Sequence, residues 1–344
     1  MMQTNKNYVA SIPGQFIRNF ISVGGTMDYK ITIIICYFGE LPEIFPLWIK
    51  SCEKNPEFDF LIFTDQEVCV NTSNIIVKKT NLKFIRQLAE KKLKQDNICI
   101  SHAYKLCDYK PMYGVIFEDY LENSNFWGMC DMDMIFGDLS QFITPEILEN
   151  FDKVYQHGHL TLYRNTYEVN HSFELPGFVD WKDVVHTNKH CRLCERGMME
   201  KHRHSSLRVF CNRDYADVSK IHRRYQLSKW LVPEFDKDRY KYQLFYCDNG
   251  HIYRAVLQSG VVFRQEFTYV HLQKRKLKKP DFVYEECYYI TKNQFIMKKE
   301  GIPKAEIIKK LNPYRGLLFE LYECIEFEVR KQWKRIKYEW ERRK

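Results

Sequence analysis

The apolar positions of this chain change period several times, and each change marks an element. Residues 1–27 are polar, carry Gly24 and Gly25, and hold a second methionine at Met27, so they read as a poorly ordered leader. From Lys30 the stretch KITIIICY is a nearly continuous β-branched run, the pattern of a strand buried on both faces of a parallel sheet. Gly39 and Pro42 break it, and a helical stretch follows through Trp48 and Ile49. A second run, FDFLIFTD, ends at Asp65. A third, NIIVKK, precedes a helix opening at Asn81, where Leu82, Ile85, Leu88 and Ala89 recur at helical spacing. Strand, helix and strand in this order predict βαβ units with right-handed crossovers, hence an α/β fold on a mostly parallel sheet.

Farther along, HAYKLCDYKPMYGVIFEDYL reads as helix, with Pro111 and Gly114 marking a kink or break. It leads into FWGMCDMDMIFGDL, after which the chain is richer in His, Arg and Tyr and less regular. In YKYQLFYCDNGHIYRAVLQ, Asn249-Gly250 between alternating segments predicts a β-hairpin. From Ile302 the tail reads as helix, interrupted at Asn312-Pro313.

Composition narrows the class. Of 344 residues, 45% are hydrophobic and 15% aromatic, enough for a buried core and against disorder as the main state. The longest apolar run, Ile31 to Phe38, is far short of the roughly 20 residues that cross a bilayer. No small-residue cleavage site follows it, which argues against a secretory signal. Twelve cysteines without regular spacing indicate reduced thiols and a cytoplasmic location. The net charge of +9 is local: 20 of the 53 Lys+Arg and 11 of the 44 Asp+Glu lie in residues 271–344, leaving 33 of each before them. A neutral body with a basic tail argues against a nucleic-acid partner and for an electrostatic anchor.

The densest chemistry lies in CDMDMIFGDL. At the end of a strand, period 2 would turn Asp131 and Asp133 to one face and Met132 to the other. Two carboxylates so placed repel unless a cation joins them, which suits Mg²⁺ or Mn²⁺. The alternative is a polar turn with both Asp capping the backbone. Earlier, Lys105 and Asp108 stand at i and i+3 of a helical reading, with Lys110 just before Pro111. Such groups suit sugar hydroxyls and a dianionic leaving group, or form an ordinary surface ion pair.

Taken together, ITIIICYFG, CDYKPMYG, DMDMIFGDL, GHLTLYRN and YVHLQKRK resemble the nucleotide-sugar-dependent glycosyltransferases of the GT-A fold. The likeness is closer to an uncharacterised glycosyltransferase-like family of bacterial surface polysaccharide synthesis, and it spans roughly residues 28–280. The resemblance implies a GT-A, Rossmann-like catalytic domain over 28–300 with a basic helical tail over 301–344. It implies Mn²⁺ or Mg²⁺ held by Asp131, Asp133 and His271, with Lys274 and Arg275 on the diphosphate. Tyr37, Phe38, Gly39, Thr64 and Asp65 would hold the nucleoside, and Lys105, Asp108 and Lys110 would face the donor sugar. His159 and Asn165 would serve the acceptor, a glycan or lipid-linked sugar, with a UDP-sugar as donor. No catalytic residue is identified, and the sequence does not choose between inversion and retention.

Two further signals compete with this reading. Cys191 and Cys194, with His202 and His204 nearby, form a Cys₂His₂-like zinc pattern of unconventional spacing; a His-rich loop with reduced thiols is the plainer account. In the tail, Val329, Trp333, Ile336 and Trp340 make an apolar stripe among basic residues. Residues 327–344 could thus lie on the inner face of a membrane, or dock on the catalytic domain. The other functional classes are a sugar-nucleotide nucleotidyltransferase, which usually shows a Gly-rich phosphate loop absent from CYFGELPE, and a non-catalytic zinc or nucleic-acid-binding module.

Overall fold

The computed structural model describes residues 29–218, 240–273, 277–278, 287–292, 294–299 and 301–341. The expected leader, and Lys274 and Arg275, lie outside the described residues. The chain divides into two compact units. The first runs to Arg213 without residues 46–48 and 133–138; the second takes those two segments and everything from Asp214 on.

The first unit is built on β1 (Ile31–Tyr37), β2 (Phe58–Thr64), β3 (Ile75–Lys79) and β4 (Phe126–Cys130); β5 (Met134–Phe136) belongs to the second unit, and β6 (Lys153–Val154), β7 (Leu160–Arg164) and β8 (Val209–Phe210) complete the first. Their order is β3-β2-β1-β4-β7-β6-β8. β1 runs parallel to β2 and β4, and β2 parallel to β3, while β7 is antiparallel to β4 and β6. The sheet is therefore largely parallel, and the fold is mixed α/β. The reason is visible in β1: Ile31, Ile33, Ile34 and Ile35 are all buried, as a central strand covered on both faces requires.

Helix α1 (Phe45–Glu53) follows β1, and α2 (Leu82–Leu93) follows β3. The Asn81 side chain caps α2 by accepting from the Phe84 amide, and Ile85, Ala89 and Leu93 form its buried stripe. The stretch read as broken helix over 102–121 is a chain of short α and 3₁₀ turns, and Pro111 removes a backbone donor in its middle. Gly114 is required there, because a Cβ would lie 2.5 Å from Trp127 Nε1 and 2.7 Å from Asn170 Oδ1. That indole, stacked on Tyr163 at 4.5 Å, belongs to a core with Phe63, Tyr109, Phe117 and Leu193.

The second unit carries β9 (Ala216–Asp217), β10 (Tyr242–Asp248), β11 (His251–Gln258), β12 (Val261–Phe267), β13 (Tyr269–His271), β14 (Cys287–Ile290) and β15 (Phe295–Met297). Five of these form an antiparallel sheet, β12-β11-β10-β14-β15; β13 pairs between β5 and β9 in a second, three-stranded sheet. Asn249 and Gly250, both at positive φ, close the predicted hairpin between β10 and β11. Helices α3 (Ala305–Leu311) and α4 (Leu317–Glu341) follow, parted at Asn312-Pro313 as the sequence indicates.

Candidate functional site

The strand order reverses between β1 and β4: from β1 the chain proceeds outward through β2 and β3, then returns to β4 on the other side. The carboxyl ends of the strands beside such a reversal leave a crevice between diverging loops. At this edge stand Tyr37, which ends β1, with Phe38 and Gly39 after it, Thr64, which ends β2, with Asp65 after it, and Asp131 after β4. Gly39 has φ +96, open to glycine and strained for other residues, and its amide donates to Asp65 Oδ1 at 2.9 Å. Gln66 Nε2 donates to the same oxygen, and these two bonds, Gln66 first, hold the Asp65 carboxyl below its ordinary range. The loops after β1 and β2 are thus tied together.

Strand β4 stops at Cys130, so Asp131 and Asp133 lie in the following bend rather than inside the strand. Met132 is nonetheless buried, while both carboxylates remain partly exposed. Asp131 receives its backbone bond from β4's neighbour, its amide donating to the His159 carbonyl at 2.9 Å. Its Oδ1 accepts from Lys110 Nζ at 2.5 Å, and the same ammonium donates to the Gly158 carbonyl at 2.9 Å. Burial would lower the Lys110 pKa, but the Asp131 charge and hydrogen bond outweigh it and hold the side chain firmly protonated.

In the second unit, β13 carries His271 alongside Met134 of β5 and Asp217 of β9. Leu272 donates its amide to the Asp133 carbonyl at 2.8 Å, which fixes Asp133 against the end of β13. The imidazole lies between two carboxylates, with Nδ1 2.8 Å from Asp217 Oδ1 and Nε2 3.4 Å from Asp133 Oδ1. Burial alone would lower its pKa; hydrogen bonds with Asp133 and Asp217, and their charges, instead push it up to about 10. Gln273 Nε2 donates to the same Asp217 oxygen at 2.7 Å. With Asp217 holding Nδ1, Nε2 is the nitrogen turned to Asp133, the arrangement in which a carboxylate orients a ligating histidine. Oxygen and imidazole donors of this kind fit Mn²⁺ or Mg²⁺, the nitrogen favouring Mn²⁺.

Residues 33–299 match the profile of a family of unknown function, DUF6625. The chain belongs to that family. No curated protein matches it. Among solved structures it is similar to the glycosyltransferase GlyE of Streptococcus pneumoniae TIGR4, at 12% identity and a TM-score of 0.30, over 54% of this chain and 46% of that one. It is also similar to the mannosyltransferase Ktr4p of S. cerevisiae, at 12% identity and a TM-score of 0.23, over 38% of this chain and 39% of that one. The chain thus spans less than half the length of either.

Three other residues expected at the site, Lys105, Asp108 and Asn165, sit elsewhere in this DUF6625 chain. Lys105 and Asp108 do pair, at 2.9 Å, but both are fully buried. Asp108 also accepts from the amides of Cys191 and Leu193 and from His190 Nδ1, while Lys105 Nζ donates to the Lys189 carbonyl. Burial opposes ionisation of Asp108, yet the His190, Cys191 and Lys105 bonds hold its carboxyl well below the usual range. The pair anchors the 189–193 loop and presents no face to a sugar. Asn165 stands at the opposite end of β4 from Asp131, donating to the carbonyls of Leu121 and Ser124. His159, by contrast, stays beside Asp131: it is buried just before β7, its carbonyl accepts from the Asp131 amide, and its ring is stacked on His157 at 5.4 Å.

The Cys/His pattern is not assembled among the described residues. Cys191 Sγ lies against the Lys189 carbonyl, and His202 Nδ1 is 3.2 Å from Lys153 Nζ with its Nε2 3.2 Å from Ser172 Oγ. Burial pushes the Cys191 and Cys194 thiols up, away from the thiolate that zinc requires. No helix among the described residues is long and apolar enough to cross a membrane. Sequence reasoning missed Asp217, which carries no local motif and meets His271 only through strand pairing.

Proposed function

We propose that this chain is a metal-dependent glycosyltransferase that moves a sugar from a nucleotide-sugar donor, a UDP-sugar, to a glycan or lipid-linked acceptor. One observation carries the reading: Asp131 follows the last residue of β4, at the carboxyl end of a parallel strand where the strand order reverses. Open α/β sheets take nucleotide ligands at such reversals. In the same short segment Asp133 lies 3.4 Å from His271 Nε2, a carboxylate and an imidazole ready to share a cation.

Asp133 and His271, with Asp131 two positions earlier in the chain, hold Mn²⁺ or Mg²⁺ in this reading, and Asp217 keeps His271 in the ligating tautomer. When bound, the ion supplies positive charge for a departing nucleoside diphosphate. The protein's own groups do the rest. The loop of Tyr37, Phe38 and Gly39, braced by Asp65, receives the nucleoside. Lys110 keeps a permanent positive charge beside Asp131, and Lys274 and Arg275 add charge a few residues beyond His271. A preorganised cation stabilises growing negative charge more in the transition state than in the bound donor. Nucleotidyl transfer is disfavoured because the loop after β1 offers one glycine, Gly39, rather than a phosphate cradle.

The test is nucleoside diphosphate release from a panel of nucleotide sugars, with and without Mn²⁺, together with thermal shift by the same nucleotides. Mn²⁺-dependent release by the native chain is expected. Release that Asp133→Ala leaves unchanged overturns the metal assignment; no release and no Mn²⁺-dependent nucleotide shift overturns the whole reading.

A further inference from the structure

Helix α4 is a 25-residue element, about 37 Å long. Along it Leu318, Tyr322, Ile325, Val329, Trp333 and Ile336 are all exposed, Leu318 by 83% and Trp333 by 68%. At 3.6 residues per turn these positions fall on one stripe. Soluble proteins rarely leave such a stripe to water without a partner.

Two features of the stripe select the partner. Its spacing is 4-3-4 from Leu318 to Val329, and the sequence continues it as 4-3-4 from Val329 to Trp340. The pattern therefore reads the same in both directions about Val329, which is what an isologous, two-fold contact demands. The charge is segregated about the same point. Residues 317–329 contain four Glu and no Lys or Arg, whereas residues 330–344 contain eight Lys or Arg and two Glu. A parallel pair would set acid on acid and base on base; an antiparallel pair sets each acidic half on a basic one.

We propose that α4 pairs antiparallel with α4 of a second copy of this chain, about a two-fold axis at Val329. In that register Ile325 meets Trp333 and Tyr322 meets Ile336, and on one flank Glu326 of each helix comes beside Arg330 of the other. The repeat of eleven residues in three turns is close to the natural pitch of a helix, so the two helices run nearly straight past each other. A membrane surface fits less well, because the stripe continues through the acidic half, which anionic headgroups repel. The inference does not depend on the catalytic reading.

The experiment is light scattering and sedimentation of the full chain. The native chain should have the mass of two copies. Val329→Lys places like charges on the axis and should halve the mass, with the melting temperature of the body retained. Glu326→Arg sets Arg against Arg330 of the other copy and should also halve it, while the double exchange Glu326→Arg with Arg330→Glu should restore the dimer. If Val329→Lys does not fold, the single and double charge exchanges decide. A native chain that stays monomeric up to millimolar concentration, a dimer indifferent to these changes, or a monomer that binds anionic phosphatidylserine vesicles through α4 would each overturn the proposal.

Discussion

Asp131 and Asp133 are separated by one residue, yet their surroundings differ in kind. Asp131 is neutralised by Lys110, a buried ammonium that its neighbour keeps protonated. Asp133 faces His271, an imidazole held between two carboxylates. A lysine beside an acid does not give up its proton near neutral pH, so it is a fixed positive charge. An imidazole can exchange its proton for a metal ion without leaving its position. The first acid therefore belongs to a permanent electrostatic setting, and the second to an exchangeable one.

The sharpest break of this contrast is Asp133→Ala. It removes a proposed metal ligand and leaves the Lys110–Asp131 pair intact, so Mn²⁺-dependent nucleoside diphosphate release should fall on the order of 10²–10³-fold. The melting temperature without metal should change little. Next in size is Asp217→Asn, which keeps an acceptor for His271 but removes its charge. Mn²⁺ affinity, read by titration of the ion's paramagnetic signal, should fall roughly 10-fold or somewhat more. An unchanged affinity would reduce Asp217 to a packing residue.

Lys110→Met tests the other half. It strips the fixed cation from Asp131, whose side chain keeps 36% exposure and can partly rehydrate. The expected cost is about 2 kcal/mol of stability, measured by urea unfolding. Metal affinity should rise slightly rather than fall, because a competing cation has gone. A loss of metal affinity would mean that Lys110 positions Asp131 instead of competing for it.

What the sequence made legible was local. The β-branched run of β1, the Asn81 cap, the Asn249-Gly250 turn and the break at Asn312-Pro313 each depend on neighbours within a turn or a strand. Ser259-Gly260 closes a second hairpin, between β11 and β12, with the same positive φ pair, a signal available but unused. The site was legible in part: Asp131 and Asp133 stand out by spacing, and His271 through the resemblance. Asp217 did not, because strand pairing brings it to His271 from 54 residues away. For Asp108 the i,i+3 pairing with Lys105 was correct, but its burial was hidden, since the amides that close over it lie 83 and 85 residues later.

A second buried lysine shows what Lys110 would be without its acid. Lys153 is buried at 1% exposure, lies 4.9 Å over the Tyr163 ring, and has His202 as its nearest polar partner at 3.2 Å. Burial lowers its pKa to about 7, and burial with the charges of Lys153 and Lys201 holds His202 well below the ordinary imidazole value. Between pH 7 and the unfolded value of about 10.4, the unfolded chain binds the proton that the folded chain has lost. Stability should therefore rise with pH through that window, and the full cost of charging Lys153 should be present below it. Lys153→Met removes the cost. It should stabilise the protein by about 1 kcal/mol at pH 6, the lost contact with His202 offsetting part of the gain. In guanidinium melts the advantage should shrink toward zero by pH 10.5. A gain of the same size across that range would mean that Lys153 takes up its proton alike in the folded and unfolded chain and that packing alone distinguishes the variant.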